Sequence, residues 1–224
     1  TDPYNTDAFA IENVTVTHQT NLNMTVWSIT VKGNAGSQTP TPKGQLDGAP
    51  VLGYVFPTSL SPTVVGFNKT DGILALALTS HPDFDDTPLW DENKDSKYDN
   101  DGIIWHPHWV VLIKDERVAG GFSVKQFKKA DTTVKLPPTN PGMPMYMDSP
   151  GFPVTTKNNT IQVIVPDYRI QDQTDFKFDA VTAFMQVNTS KENLPMLGVY
   201  NVYSIASGDL SLPYKVEKNT QKND

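Results

Sequence analysis

The chain has 224 residues, no cysteine and a formal net charge of −7. Without thiols, disulfide scaffolds, thiolate zinc sites, iron–sulfur clusters and cysteine nucleophiles are all excluded. The negative charge argues against binding to nucleic acids or anionic membranes, and it permits cations as ligands.

The predicted elements are strands joined by loops. Alternating and short apolar runs recur along the chain, whereas helical periodicity is nearly absent. In chain order, strands are predicted at residues 25–31, 50–56, 73–78, 103–113, 122–127, 161–165, 176–187 and 197–205. This pattern predicts an all-β fold, a single antiparallel β-sandwich or related barrel of about ten strands with long loops and little helix.

The sequence pattern predicts one β-rich domain at residues 1–214 and a polar C-terminal tail at 215–224. Two loops are long, 33–48 and 136–152, and loops of this length are usually functional or disordered. No apolar run reaches the roughly 20 residues of a membrane-spanning helix. The start at Thr1, without an initiator Met or a signal peptide, favours a processed protein that is secreted, periplasmic or on the cell surface.

The run Trp105-His106-Pro107-His108-Trp109 carries the clearest chemistry. Alternate residues of a strand share a face, so His106 and His108 are expected to point the same way, about 6–7 Å apart. Two imidazoles at that spacing can bind one transition-metal ion. Pro107 lacks an N–H donor, which predicts an edge strand or a bulge that leaves both histidines accessible. The alternative is a pair of ordinary hydrogen-bonded strand histidines.

A metal bound by this pair needs further ligands, and His81 is the first candidate because three of the four histidines lie between positions 81 and 108. Other candidates are the carboxylates that follow it and the remaining histidine: Asp83, Asp85, Asp86 and His18. Any of the three carboxylates could instead serve as a general base in a metal enzyme.

Three methionines alternate in a later loop, at Met143, Met145 and Met147. Thioether sulfur is a soft ligand that selects copper(I), so Met143 and Met145 are possible additional ligands that would favour copper over zinc. Packing is the alternative role for these methionines.

An acidic loop precedes the histidine strand, and its oxygen donors stand at alternate positions. Calcium collects six to eight oxygens in this way within a short stretch. The predicted calcium ligands are Asp91, Asn93, Asp95, the Lys97 carbonyl, Asp99 and Asp101. The loop departs from the EF-hand pattern at Ser96 and Gly102, and it resembles the looser D-x-[DN]-x-D calcium loops of secreted β-proteins. Its predicted role is structural; a solvated charged loop is the alternative.

The Trp-His-Pro-His-Trp run, in a cysteine-free acidic chain with a calcium-like loop, resembles the secreted copper-binding proteins of methanotrophic bacteria. In that family two histidines and a tryptophan oxidised to kynurenine hold copper(I). The resemblance implies copper handling, with Trp105 or Trp90 in the place of the modified tryptophan. The family has that tryptophan two residues before one histidine, whereas Trp105 directly precedes His106 and is expected on the opposite face.

Three functions are compatible with these features. The first is a non-enzymatic copper-binding protein outside the cytoplasm, using His106, His108 and His81 and working with a redox or cell-surface partner protein. The second is a calcium-dependent carbohydrate- or surface-recognition module in which exposed aromatic side chains stack on sugars: Trp90, Tyr98 and Tyr146. The third is a metal-dependent enzyme with an open coordination position.

Overall fold

The structure is a computed structural model that describes residues 2–86, 91, 94–97 and 102–219. Within these residues the chain forms fourteen strands, and its only helical segments are three short 3₁₀ turns. The predicted all-β class with little helix is therefore confirmed. No helix in the described ranges has the length and apolar character needed to cross a membrane.

The strands are short and evenly distributed along the chain. In chain order they are β1 (Ile11–Gln19), β2 (Met24–Val31), β3 (Pro50–Pro57), β4 (Ile73–Ser80), β5 (His106–Lys114), β6 (Phe122–Val124), β7 (Met147–Asp148), β8 (Val154–Lys157), β9 (Thr160–Pro166), β10 (Lys177–Phe178), β11 (Val181–Val187), β12 (Leu197–Ile205), β13 (Tyr214–Lys215) and β14 (Glu217–Asn219).

Six strands close into a barrel in the order β4-β3-β11-β12-β6-β5, and pairing of β5 with β4 completes the ring. β7 pairs with β5 at Trp109 and Val110, on the same edge of β5 as β6. Closure of a sheet on itself removes the free edges that would otherwise invite pairing with other chains. The barrel thus has an interior that is separate from the rest of the core.

A second sheet, in the order β14-β1-β2-β9-β8, packs on one side of the barrel. Every second residue of β2 is buried, so Trp27 and Ile29 share the inward face that the sequence pattern predicts. The Trp27 ring meets Phe56 of β3 edge-on at 5.4 Å between ring centroids and Trp109 of β5 at 5.9 Å. Each such fully buried side chain contributes about 1.5–3 kcal/mol through the hydrophobic effect.

The predicted accessibility of the histidines is wrong, although in the described part of the chain His106 and Pro107 are paired on one edge only, as an edge position predicts. β5 pairs with β4 from its first residue, with His106 opposite Thr79 and Pro107 opposite Leu78. Because pairing on its other edge begins only at Trp109, Pro107 needs no N–H donor on that side in the described part of the chain. Barrel closure buries both histidines, so they are not accessible at the surface.

Three predicted strands differ by three residues or more from those observed, and β6 is one of them, because it ends at Val124 and not at residue 127. β5 begins at His106, three residues later than predicted, and the predicted strand at 176–187 is divided into β10 and β11. Residues 215–219 of the predicted tail extend β13 and form β14, which runs parallel to β1 with its side chains exposed. Residues 220–224 lie outside the described ranges.

Candidate metal centre

Four buried side chains meet at one end of the barrel and are termed the His/Asp cluster: His81, Asp86, His106 and His108. Their exposed fractions are 1%, 8%, 4% and 2%, respectively. Each offers one ligand atom, and these atoms all lie within 4.8 Å of one another. A metal ion with bonds of about 2 Å places its ligand atoms roughly 3–4 Å apart. The four ligand atoms would therefore approach one another by about 1 Å on binding a common ion. The cluster could therefore hold a metal ion.

Strand pairing explains why these histidines meet. His106 and His108 lie on the barrel-facing side of β5, and His81 directly follows β4. The end of β4 lies beside the start of β5 because the two strands are antiparallel. Hydrogen bonds extend this pairing, from the His81 amide to the Gly102 carbonyl at 2.7 Å and from the Ser80 hydroxyl to the Ile103 carbonyl at 2.8 Å.

The three imidazole rings form a nearly regular triangle. Their centroids are 5.7 Å apart for His81 and His106, 5.8 Å for His81 and His108, and 6.4 Å for His106 and His108. Asp86 Oδ1 lies 3.2 Å from His81 Nε2 and 3.5 Å from His108 Nε2. One carboxylate is thus shared by two imidazoles, as expected where the ligands of a single ion converge.

Hydrogen bonds at the opposite ring nitrogens orient two of the imidazoles. His81 Nδ1 lies 2.8 Å from the Phe84 carbonyl oxygen, and His108 Nδ1 lies 3.1 Å from Ser149 Oγ. The Nε2 atoms of His81 and His108 are buried, and both face the shared Asp86 carboxylate without a well-formed hydrogen bond. Metal-binding histidines are held in the same way, with one nitrogen hydrogen-bonded and the other free for the ion.

Burial and charge set the protonation of the His/Asp cluster. Burial, assisted by the neighbouring histidines, lowers the pKa of His108 to about 4, so its imidazole is neutral near pH 7. Burial acts to raise the pKa of Asp86, but the charges of His108 and His81 outweigh it and lower that pKa. For His81, burial acts to lower the pKa and the charge of Asp86 raises it above its ordinary value. Neutral imidazole and ionised carboxylate are the forms that bind metals, so His108 and Asp86 have the required form, whereas the raised pKa of His81 favours a proton that a metal ion would have to displace.

The segment after β4 is packed tightly around His81. The His81 ring stacks on Phe84 with 4.2 Å between centroids and 9° between planes. Gly102, with φ +138°, closes over the segment, and a Cβ there would overlap the carbonyl oxygens of His81 and Phe84. Only glycine adopts this conformation without strain, so the sequence position that ends the acidic loop also supports the His/Asp cluster.

The three acids that follow His81 have different surroundings. Asp86 alone belongs to the His/Asp cluster. Asp83 accepts hydrogen bonds from the backbone amides of Lys43 and Gly44, at 2.8 Å and 2.6 Å, and so ties the long loop at 33–48 to this segment. Asp85 is half-buried and lies outside the cluster.

The other predicted metal ligands are placed elsewhere. Trp105 packs in the core, where its indole N–H donates to the Gly36 carbonyl at 3.0 Å and its ring meets Tyr54 edge-on. Met143 and Met145 line the interior of the barrel. His18, on β1 of the other sheet, has its Nε2 2.7 Å from Asp167 Oδ2.

Half of the predicted calcium ligands lie outside the described residues, namely Asn93, Asp99 and Asp101, and so does Trp90. In the described part, the Asp91 carboxylate accepts hydrogen bonds from the amides of Asp95 and Ser96, at 3.0 Å and 2.9 Å. Asp95 Oδ1 accepts one from the Lys97 amide at 2.8 Å. Calcium binding by this loop stays a prediction.

Two features of the site carry no signal in the sequence pattern. Ser149 comes from the long loop at 136–152 and lies 41 positions from His108, with no motif that connects them. The barrel also encloses a cavity of about 420 Å³, which reaches His81, Asp86 and His108 at one end and is otherwise mostly apolar. Such a cavity results from closure of the sheet into a barrel, and the hydrophobic periodicity of one sequence does not predict that closure.

The ligand types of the His/Asp cluster narrow the chemistry. Imidazole suits zinc, copper, iron and nickel, whereas calcium and magnesium prefer sites built of oxygen. Three imidazoles and one carboxylate thus fit a first-row transition metal at the end of an apolar cavity. Comparisons of the chain with protein-family models, with curated proteins and with solved structures give no match.

Proposed function

We propose that this protein binds one transition-metal ion through the His/Asp cluster and that copper is its preferred metal. The observation that carries the proposal is the convergence of four buried ligand atoms within 4.8 Å. Two of them, the Nε2 atoms of His81 and His108, face Asp86 without a well-formed hydrogen bond, and the other nitrogen of each ring is held by a hydrogen bond. Leaving such groups buried is costly unless a ligand satisfies them.

Copper is favoured by the ligand types. Among the divalent first-row ions, copper(II) has the highest affinity for nitrogen and oxygen ligands. Asp86 supplies the one negative charge of the cluster, which partly balances a divalent ion.

A metal-dependent enzyme is the second candidate, because the barrel cavity opens onto His81, Asp86 and His108. A substrate in the cavity would lie against the ion. The carbohydrate-recognition alternative loses one of its three aromatic side chains, since Tyr146 is only 5% exposed and packs against Phe67 and Phe127. The expectation that Tyr146 is exposed is therefore wrong. Trp90 and Tyr98 lie outside the described residues.

We also propose a structural calcium ion in the acidic loop, and the alternating oxygen donors of the loop support it. A rise in melting temperature on adding calcium to chelator-treated protein would support the calcium ion. The rise should be absent in an Asp91→Asn/Asp95→Asn variant.

Elemental analysis tests the transition-metal proposal. The metal-stripped protein is incubated with equal concentrations of copper, zinc, nickel, cobalt, iron and manganese, then desalted. We expect about one copper per chain in the wild type and loss of most of it in a His106→Ala/His108→Ala variant. His18→Ala is the matched control, because it removes a histidine that is mostly buried in the other sheet. Full metal content in the double variant would overturn the proposal.

A further inference from the structure

The volume inside the barrel is unexpectedly large for its strand number. An eight-stranded barrel has an interior just wide enough for side chains to fill, and this barrel has six strands. It nevertheless encloses about 420 Å³. Small side chains at inward positions leave this room, among them Val51, Ala77, Val110 and Ala183. Ligand pockets typically measure about 300–1,000 Å³.

β5 shows how the barrel cavity runs. His108, Val110, Leu112 and Lys114 all line it, so it extends along the strand from the His/Asp cluster to the far end of the barrel. Six residues of strand span about 20 Å. His108 is buried, Leu112 is half-buried and Lys114 is exposed, so the cavity is closed at the cluster and meets solvent near Lys114.

These dimensions describe a narrow channel. A volume of about 420 Å³ that runs along about 20 Å of strand leaves room for an extended alkyl chain. The wall between the two ends is apolar, with half-buried Ile73, Leu112 and Phe122 near the solvent end. Burying an unpaired charge against such a wall is unfavourable, so the occupant of the channel is aliphatic along its length.

Polar groups are concentrated at the closed end. Besides His81, Asp86 and His108, Thr79 lines the cavity there, opposite His106 in the strand register. The Thr79 hydroxyl oxygen is buried and has no hydrogen-bond partner. An oxygen-bearing group at the end of an aliphatic molecule would satisfy this hydroxyl and lie beside the metal ligands.

We propose that the barrel cavity binds one unbranched aliphatic molecule with a terminal oxygen group, such as a fatty acid or fatty alcohol. The molecule enters near Lys114, and its oxygen end lies between Thr79 and the His/Asp cluster. The position of the oxygen end beside the metal rests on the proposed function, whereas binding of the chain in the channel does not.

Calorimetric titration of the wild type with a series of saturated fatty acids, from hexanoate to hexadecanoate, tests the channel. We expect binding of one molecule per chain, with affinity rising about fourfold for each added methylene until the channel is full and levelling off thereafter. Absence of binding, or a rise with no plateau, would overturn the proposal.

Variants of β5 test the location. Leu112→Trp places a large ring in the channel near its solvent end and should reduce dodecanoate affinity at least tenfold. Ile113→Trp is the matched control, because Ile113 is also half-buried but does not line the cavity. It should leave the affinity within about threefold of the wild type. Equal affinities for the two variants, both with wild-type metal content, would place the binding site elsewhere.

The same titrations separate the channel from the metal site. Dodecanoate should bind the His106→Ala/His108→Ala variant with affinity reduced by about tenfold or less, and it should change the copper(II) absorption spectrum of the wild type. Dodecanoate binding in a protein that takes up no metal would support the channel while refuting the proposed function. An unchanged copper spectrum with dodecanoate bound would refute the placement of the oxygen end.

Discussion

Replacing Ser149 with alanine is expected to weaken transition-metal binding by about 10- to 100-fold while the protein stays folded. Ser149 Oγ lies 3.1 Å from His108 Nδ1, and the serine is buried, so bulk water does not take the place of the hydroxyl. Without this partner the imidazole can rotate and its Nε2 is no longer fixed toward the ion. The expected loss corresponds to about 1.4–2.7 kcal/mol of binding free energy.

Ser123→Ala is the matched control for this prediction. Ser123 is also buried, and its hydroxyl donates to Asp115 Oδ2 at 2.7 Å, outside the His/Asp cluster. Both variants should lose about 1 kcal/mol of unfolding free energy, measured with urea. Competition titration against a chelating indicator measures the metal Kd. If the Ser149 variant loses stability like the Ser123 variant but binds metal as tightly as the wild type, Ser149 does not position His108.

Three further outcomes are expected. Gly102→Ala should lower the unfolding free energy by about 1–3 kcal/mol, because φ is +138° and a Cβ would overlap two carbonyl oxygens. Urea unfolding measures this loss, and an unchanged midpoint would contradict the prediction. Asp115→Asn should lower stability by roughly 1 kcal/mol at pH 7. The side-chain hydrogen bond of Arg117 holds the pKa of Asp115 well below its ordinary value, so this contribution is complete above about pH 4 and declines steadily as the pH falls below that; a stability difference between wild type and variant that does not shrink between about pH 5 and pH 2 would contradict the assignment. Saturation with copper at about 100 times the Kd should raise the unfolding free energy by about 2.7 kcal/mol, and a chelator should reverse the gain. The His106→Ala/His108→Ala variant should show no such gain.

Local alternation made part of the fold predictable. The run from Met24 to Val31 buries every second residue, and this period is visible in the sequence. Closure of the barrel depends instead on the pairing of β4 with β5, which no local pattern encodes. Very short strands such as Met147–Asp148 are also invisible, because two residues cannot show a period. They exist because a neighbouring strand offers hydrogen-bonding partners.

The candidate site was predictable to a similar degree. Strand parity placed His106 and His108 on one face, and the scarcity of histidine pointed to His81. The sequence did not show that Asp86, and not Asp83, belongs to the cluster. Both residues lie in a loop, where residue spacing does not determine the direction of a side chain. The histidines are buried and not accessible as expected, because Pro107 indicates only how one strand is paired. Burial of that strand results from the curvature of the closed sheet.

The chain alternates between the barrel and the five-stranded outer sheet, and this order has a consequence for the cooperativity of unfolding. The chain forms β1 and β2 in the outer sheet, crosses to the barrel, returns for β8 and β9, crosses again for β11 and β12, and ends with β14 beside β1. Neither sheet is formed by one continuous segment of the chain. Cleavage at a single position therefore cannot separate one complete sheet from the other. We therefore expect one unfolding transition in calorimetry, with barrel and outer sheet lost together. The metal ligands, although gathered at one end of the barrel, would then share the stability of the entire molecule.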